Sequence, residues 1–150
     1  MKEYSYAASN YKRPNCVFTP VDARSVVFAI QKFTQTETKF AVRGGGHMPI
    51  AGSNNIDAPG VLLSTTNLNS LQLNGNKDVI SVGAGLKWQL VYDFLAKGGL
   101  AAVGGRVGEV GVSGLLLGGG LSFYSGQHGF ASDNVLKYEV GVCSASQKLC

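Results

Sequence analysis

The sequence has few residues of the kinds that hold metal ions or bind nucleic acids. It contains two histidines and three cysteines, Cys16, Cys143 and Cys150, and no spacing among them matches a zinc or redox motif. Its 13 basic and 9 acidic residues are scattered, without a basic block interleaved with aromatic residues. We therefore expect no metal centre and no nucleic-acid partner, and the net charge of +4 favours at most a mild affinity for an anionic ligand.

Long apolar runs are also absent. No run approaches the roughly 20 residues that a membrane helix needs, and the opening MKEYSYAASNYKRP lacks the apolar core of a signal peptide. We therefore expect no membrane association. The odd number of cysteines does not identify a compartment, so the localisation is open between the cytoplasm and, with an upstream leader, secretion.

Glycine, in contrast, is abundant. The chain of 150 residues is 45% apolar, which is enough for one domain with a core, and it contains 21 glycines, roughly twice the usual share. The glycines follow no period and lie beside apolar runs rather than polar ones. This pattern argues against collagen and disorder, and it indicates backbone that must approach another group closely.

The periodicity predicts an α+β fold in which strands and helices intermix. In the first half, Asp22 is a predicted helix N-cap, and Val26, Ile30 and Phe33 would share one face of that helix. Strands are predicted on both sides of it, at residues 16–20 and 39–44. A buried strand with an irregular continuation follows in residues 60–73, and NGN at 74–76 is a turn signal.

The second half contains three more predicted elements. A strand at 78–85 precedes a helix at 86–97, in which Leu86, Leu90, Phe94 and Leu95 recur at helical spacing. Gly98 is the predicted C-cap of that helix. A further strand is predicted at 134–142.

The first of two glycine-rich segments is AVRGGGHMPIAGSNN, residues 41–55. Consecutive backbone N–H groups in a glycine turn form a concave anion site, and Arg43 beside it would add positive charge. A phosphate or pyrophosphate is the ligand that this pattern favours. A purely structural turn is the alternative.

Three familiar motifs fail on inspection. A P-loop needs a lysine after its last glycine, whereas Ser53 follows Gly52. A dinucleotide-binding fingerprint needs a third glycine where GAGLKW has Trp88. A hydrolase nucleophile elbow needs a final glycine where GVSGL has Leu115.

The second glycine-rich segment is GGRVGEVGVSGLLLGGG, residues 104–120. Its mixture of glycines and aliphatic residues has neither helical nor strand periodicity, so we expect irregular structure. Two such segments in one small domain, one of them carrying Arg43 and His47, favour a ligand with phosphates and a large flat ring.

These motifs together resemble a known family. The RGGGH and AGSNN motifs, followed by GVLLSTTNLNSL, SVGAGLKWQLVYDFL and GGRVGEVGVSGLLLGGGLSFYSGQHGFASDNVLKYEV, resemble the FAD-binding (PCMH-type) domain of the vanillyl-alcohol oxidase and p-cresol methylhydroxylase superfamily. Within it, the chain is most similar to berberine-bridge-enzyme-like proteins of the fungal FAD-linked oxidoreductase branch. The resemblance covers residues 14–142, between an arm at 1–13 and a divergent or truncated tail at 143–150.

The resemblance implies a flavin-binding lobe with two small sheets flanked by helices, and it implies roles for the first glycine segment. Arg43, Gly44, Gly45 and Gly46 would surround the FAD pyrophosphate, with Gly52, Ser53 and Asn54 nearby. His47 is the candidate for a covalent bond to the 8α-methyl of the isoalloxazine, and a hydrogen bond to the flavin or the loop is the alternative. Relatives with a second tether have a cysteine where this chain has Val107, so we expect at most one tether.

The same resemblance places the cofactor against the second glycine segment. The implied contacts there are Gly105, Val110, Gly111, Ser113, Gly114, Gly119 and Gly120. Further contacts are expected from Thr65, Asn134 and Val140. Packing roles are predicted for Trp88 and for the leucines at 115–117, and His128 is predicted to be a loop residue.

A complete relative would oxidise a small organic molecule by hydride transfer to the flavin, with oxygen as the usual acceptor, in secondary metabolism. The substrate-binding domain of such relatives has no counterpart in this sequence, so the catalytic residues and the substrate cannot be named. One alternative is a catalytically inactive remnant that at most binds FAD. Another is a phosphate-binding module unrelated to flavin, and the oligomeric state stays open.

Overall fold

The computed structural model describes residues 11–50, 52–141 and 147–149. Most of the predicted arm and most of the predicted tail lie outside the described residues. The elements are β1 (Cys16–Phe18), α1 (Ala23–Gln35), β2 (Phe40–Arg43), β3 (Val61–Ser64), a 3-10 helix (Thr65–Asn67), β4 (Leu71–Leu73), β5 (Ile80–Val82), α2 (Trp88–Ala96), α3 (Val112–Leu117), α4 (Ser125–His128), a second 3-10 helix (Ala131–Asn134), β6 (Glu139–Gly141) and β7 (Gln147–Leu149). The predicted α+β class with small sheets is confirmed.

A three-stranded parallel sheet with the order β1–β3–β2 forms one part of the fold. The helix α1 connects its two edge strands and begins where the sequence predicts, because the Asp22 side chain accepts a hydrogen bond from the amide of Ser25. Ile30 of this helix packs on Leu63 of the central strand, and the flanking contacts come from Phe18, Val26, Phe33 and Phe40. The predicted helix and its apolar face are therefore confirmed.

An antiparallel hairpin of β4 and β5 follows the sheet. Its turn is held by Asn74, whose side-chain oxygen accepts hydrogen bonds from the amides of Asp78 and Val79. The sequence predicted the turn and the second strand, but its expectation of an irregular chain before the turn is wrong at β4. That strand is three residues long, which is too short for period-two alternation to be recognised.

The helix α2 supplies the main core. Trp88, Val91 and Leu95 are its buried residues, and they pack with Leu86 and Val112. The apolar stripe predicted for this helix is wrong at Leu90, which is 53% exposed. The predicted C-cap is also displaced: the glycine with a left-handed backbone, φ 67°, is Gly99 rather than Gly98.

The expectation that residues 104–120 have no regular structure is wrong at α3, a helix of six residues. Successive residues of a helix are rotated by about 100°, so three adjacent leucines cannot all face the core. Leu115 and Leu116 pack against the α2 core as predicted. Leu117 is 87% exposed, so its predicted core role is wrong.

The strand predicted at residues 134–142 is shorter than expected, because its first residue belongs to a 3-10 helix and only Glu139–Gly141 forms β6. The Asn134 side-chain amide donates hydrogen bonds to the carbonyls of His128 and Phe130, which fixes this turn. His128 is exposed but is the last residue of the short α4, so its predicted loop position is wrong. β6 pairs with β7, which lies in the predicted tail.

Candidate functional site

The two glycine-rich segments meet, although they are far apart in the chain. A Cβ atom built on Gly111 would lie 2.5 Å from the Gly45 nitrogen and 2.7 Å from its Cα, and a Cβ on Gly45 would collide with the Gly111 backbone in return. A Cβ on Gly44 would lie 2.8 Å from Oγ of Ser113. We call this contact the glycine crossing, and at Gly45 and Gly111 the approach is too close for a side chain.

The turn at the crossing offers backbone donors. The strand β2 ends at Arg43, and Gly46 takes a left-handed backbone with φ 68°. Within the described part of the chain, the amides of Gly45 and Gly46 donate no hydrogen bond to another residue. Adjacent unpaired N–H groups around a left-handed glycine form a concave anion site, so the residues present fit the pyrophosphate of FAD.

A network of hydroxyl groups fastens the crossing to the rest of the fold. Oγ1 of Thr65, directly after β3, lies 3.2 Å from the Arg43 carbonyl oxygen and 3.2 Å from the Ala84 carbonyl oxygen, and shares its proton between them. Oγ of Ser113 donates to the same Ala84 carbonyl at 3.0 Å. Both hydroxyl groups were predicted to be near the cofactor, and both act as donors to the protein backbone.

The Arg43 side chain is buried at the end of β2. It is 3% exposed, and its guanidinium donates to Oγ of Ser64 at 3.1 Å. Ser64 in turn lies 2.7 Å from Oγ1 of Thr66. A buried guanidinium with hydrogen-bond partners stabilises the end of β2, and any contact with a phosphate stays a prediction.

The GAG motif at residues 83–85 has a role in the site that was not predicted from the sequence. A Cβ on Gly85 would collide with the Thr65 carbonyl, and one on Gly83 would collide with the Leu68 carbonyl. The motif therefore lies directly on the chain after β3, and Ala84 between the two glycines supplies the carbonyl that both hydroxyl groups bind. In the sequence, the two glycines on either side of Ala84 were the signal that could have indicated this close backbone contact.

His47 follows the crossing on the first segment and is half-buried. On the second segment, Glu109 pairs with Lys87 at 2.5 Å. The Lys87 hydrogen bond and charge hold the pKa of the Glu109 carboxyl below its usual range, and the charge of His47 lowers it further. This carboxylate was not singled out in the sequence, where nothing in its local pattern pairs it with Lys87.

The start of the second segment lies on α2. A Cβ on Gly105 would lie 2.9 Å from the Trp88 indole ring, and the carbonyl of Gly105 accepts a 2.6 Å hydrogen bond from the Tyr92 hydroxyl. Burial raises the pKa of Tyr92, so this hydroxyl keeps the proton that it donates. Trp88 is 4% exposed, which confirms its predicted packing role, and its N–H makes no hydrogen bond with the described residues.

The loop predicted to lie near the pyrophosphate is tied to the N-terminal segment. Gly52 has φ 79° and lies against the aliphatic part of Lys12, while Asn54 is buried and Ser53 is exposed. The Lys12 ammonium is 3.0 Å from the Asp57 carboxylate. Lys12, which precedes β1, therefore contacts both ends of this loop, at Gly52 and at Asp57.

The remaining predicted contacts are spread along the second half of the chain. Val110 and Gly111 lie at the crossing, because a Cβ on Gly45 would collide with Gly111 and lie 3.4 Å from the carbonyl carbon of Val110. Gly114 is in α3, Gly119 and Gly120 have φ 85° and 80° after that helix, Asn134 is in the second 3-10 helix, and Val140 is in β6. The carbonyls of Gly119 and Gly120 accept the amides of Ser132 and Ala131, so both glycines have a structural role. Their contact with a cofactor stays a prediction.

Replacing Thr65 by valine should destabilise the site. Thr65 is 8% exposed, and valine keeps its shape while removing the proton shared by two carbonyls. We expect a loss of about 1–3 kcal/mol in the free energy of unfolding, measured by urea denaturation. Thr65→Ser keeps the hydroxyl and should lose less. A smaller loss in Thr65→Val than in Thr65→Ser would contradict the prediction, because it would show that the methyl group matters more than the hydrogen bonds.

Among the described residues, no group of three or more His, Cys, Asp or Glu side chains is arranged to hold a metal ion. In the same part of the chain, no helix has the length and apolar content needed to cross a membrane.

Comparison with known proteins links this geometry to flavin. The model of the FAD binding domain family matches residues 14–144. The FAD-dependent monooxygenase prx3 of Penicillium roqueforti is 48% identical over 139 residues, which are 89% of this chain and 27% of the relative. The chain thus spans about a quarter of the length of this curated relative.

Two solved structures show the same fold. The 6-hydroxy-D-nicotine oxidase of Arthrobacter nicotinovorans superposes with a TM-score of 0.87 and 29% identity, over 96% of this chain and 33% of the oxidase. The glucooligosaccharide oxidase of Acremonium strictum superposes with a TM-score of 0.83 and 22% identity, over 98% of this chain and 31% of the oxidase. That oxidase is described with a 6-S-cysteinyl, 8α-N1-histidyl FAD.

Proposed function

Because this chain belongs to the FAD binding domain family, we propose that it forms the flavin-binding lobe of an FAD-linked oxidoreductase. The observation that carries the proposal is the glycine crossing, with the unpaired amides of Gly45 and Gly46 beside it. These amides would bind the pyrophosphate, and Thr65 and Ser113 would hold the two segments at the required separation. When bound, FAD supplies hydride acceptance from an organic substrate.

We place His47 at the edge of the flavin ring, as its covalent or hydrogen-bonding partner. Its position two residues after Gly45 supports this, since the loop would hold the pyrophosphate and the imidazole at fixed separation. The histidyl FAD of the glucooligosaccharide oxidase supports a covalent bond at the corresponding kind of site. Val107 stands where a second tether would need a cysteine, so the proposal includes one tether.

The substrate is proposed to be a small organic molecule, with oxygen as the acceptor and secondary metabolism as the setting. The names of similar proteins, a fungal monooxygenase and bacterial and fungal oxidases, support oxygen as a reactant. Catalytic residues outside the matched part of those relatives would complete the reaction.

A second candidate function is FAD binding without turnover. The features that favour it are those of the glycine crossing, which concern the binding of a cofactor rather than the oxidation of a substrate. An assay of substrate oxidation by the purified chain distinguishes the two candidates, because both predict bound flavin and only the first predicts turnover.

The experiment that tests flavin binding is a visible spectrum of the purified chain, followed by titration with FAD. We expect a yellow protein or stoichiometric uptake of added FAD. A colourless chain that takes up no FAD would contradict the proposal. Riboflavin is the matched control, because it has the ring but lacks the pyrophosphate that Gly45 and Gly46 would bind, so its affinity should be much lower.

A further inference from the structure

Lys12 and Arg13, which lie before β1, are hydrogen-bonded in both directions to a loop more than 40 positions further along the chain. The Asp57 carboxylate accepts a hydrogen bond from the Lys12 ammonium at 3.0 Å and another from the Arg13 amide at 2.9 Å. In return, the Ala58 amide donates to the Arg13 carbonyl at 2.8 Å, and the Asn55 side-chain amide donates to the Lys12 carbonyl at 3.2 Å. We call these five residues the N-terminal clasp.

The clasp is more than a surface ion pair. An isolated exposed pair contributes little because water and salt screen it, but here each carboxylate oxygen of Asp57 has its own donor, and Asn55 is only 4% exposed. Next to the clasp, the Asn15 amide donates to the Gly60 carbonyl at 2.8 Å, one position before the ladder of β1 and β3 begins. The clasp therefore continues the pairing of these strands outward to the loop.

The clasp holds the chain on the far side of the turn that carries Gly45 and Gly46. On its first side, this turn is fixed by β2 and by the glycine crossing. On its other side, Gly52 takes a left-handed backbone with φ 79° and lies against the aliphatic part of Lys12. A segment that is fixed at both ends has less conformational freedom to lose when a ligand binds, so the clasp should lower the entropic cost of binding at the turn.

We propose that Asp57 is a positioning residue for FAD: through the N-terminal clasp it holds the loop of residues 52–58, so that the diphosphate meets a turn that is already ordered. Asp57 acts through the loop rather than by a contact of its own with the cofactor. The proposal rests on the proposed function, because it takes FAD as the ligand of the turn. The clasp itself is a property of the chain without FAD and can be measured separately.

The first test follows amide hydrogen exchange by NMR in the full chain without FAD. Asp57→Ala removes the acceptor of two hydrogen bonds, so the Arg13 and Ala58 amides should exchange about ten-fold faster than in the wild type. Asp57→Asn keeps an oxygen for the Arg13 amide and should give intermediate rates. The matched control is Asp78→Ala, which removes an exposed carboxylate that accepts a 2.7 Å hydrogen bond from Asn74 in the β4–β5 turn. It should leave both rates unchanged, and wild-type rates in Asp57→Ala would overturn the clasp.

The second test is titration of the same variants with FAD, and with riboflavin at higher concentrations. In Asp57→Ala the Kd for FAD should rise about three- to ten-fold, whereas the Kd for riboflavin, which lacks the diphosphate, should not change. Lys12→Met keeps the aliphatic contact with Gly52 and loses the ion pair, so its effect should be smaller. Asp78→Ala should bind both ligands as the wild type does.

Two results would overturn the positioning role while leaving the proposed function intact. One is a wild-type Kd for FAD in Asp57→Ala, and the other is an equal loss of affinity for FAD and riboflavin, which a general loss of folded protein would produce. If the wild-type chain binds no FAD, the proposed function fails and the positioning role fails with it. The exchange rates then still show whether the clasp holds the loop.

Discussion

Substituting alanine for Gly45 should separate the two glycine segments and abolish FAD binding. The added Cβ would meet the backbone nitrogen and Cα of Gly111, and backbone atoms cannot move aside as a flexible side chain can. We expect a loss of about 3 kcal/mol or more in the free energy of unfolding, at the upper end for an overpacked site. Urea denaturation followed by circular dichroism measures the stability, and FAD titration measures the binding.

The control for this substitution is Gly75→Ala, because a Cβ on Gly75 has no atom within 4 Å. It should leave both stability and flavin binding near wild type. A Gly45→Ala variant that matches this control in both measurements would show that the segments do not meet as described.

The reciprocal substitution at Gly111 gives a sharper form of the same prediction. Its Cβ would lie within 2.7 Å of the Gly45 nitrogen and Cα, so Gly111→Ala should be about as destabilising as Gly45→Ala. The double variant should lose less stability than the sum of the two, since segments already forced apart leave room for the second methyl group. Additive losses would indicate two independent sites.

The elements that the sequence predicted well are those with strong local signals. The helix α1 has a capping aspartate and an apolar stripe within its own residues, so Asp22 and Ile30 were sufficient to place it. The turn at Asn74 was recognised for the same reason. The second glycine segment hid α3, because glycine lowers helix propensity and the six residues of α3 are too few for periodicity to appear.

Contacts between distant segments were not predictable from local patterns. Composition indicated that some glycine-containing backbone must approach another group closely, and at Gly45 the partner proved to include Gly111 of the same chain. One side of the turn therefore meets protein, and the proposed function assigns the unpaired amides of Gly45 and Gly46 to the cofactor. The resemblance placed both segments at one cofactor, but it did not predict their contact with each other.

The polar residues that organise the site were missed for a related reason. Ala84 contributes only a carbonyl oxygen, which no sequence motif marks, yet two hydroxyl groups converge on it. Lys87 and Glu109 are 22 positions apart and meet only because the bridge at Gly111 brings their segments together. Residues that act through tertiary pairing require the structure, whereas the glycines that permit the pairing are visible in the sequence.

Replacing His47 by alanine should convert tightly held flavin into flavin that acid releases. The imidazole is the only side chain proposed to bond the ring covalently, whereas the amides of Gly45 and Gly46 would hold the pyrophosphate by hydrogen bonds that do not survive unfolding. In the wild-type chain, we therefore expect the colour to stay with the protein after acid precipitation. In His47→Ala, all of it should appear in the supernatant, while native FAD binding persists at lower affinity.

His128→Ala is the matched control for this prediction, because His128 is the other histidine of the chain and lies exposed at the end of α4. It should retain the acid-stable colour. Flavin that stays with precipitated His47→Ala would indicate a different tether, and flavin released from the wild type would assign His47 a hydrogen bond instead. Since the substitution leaves the glycine crossing intact, the unfolding midpoint without FAD should change little, which separates loss of the tether from loss of the fold.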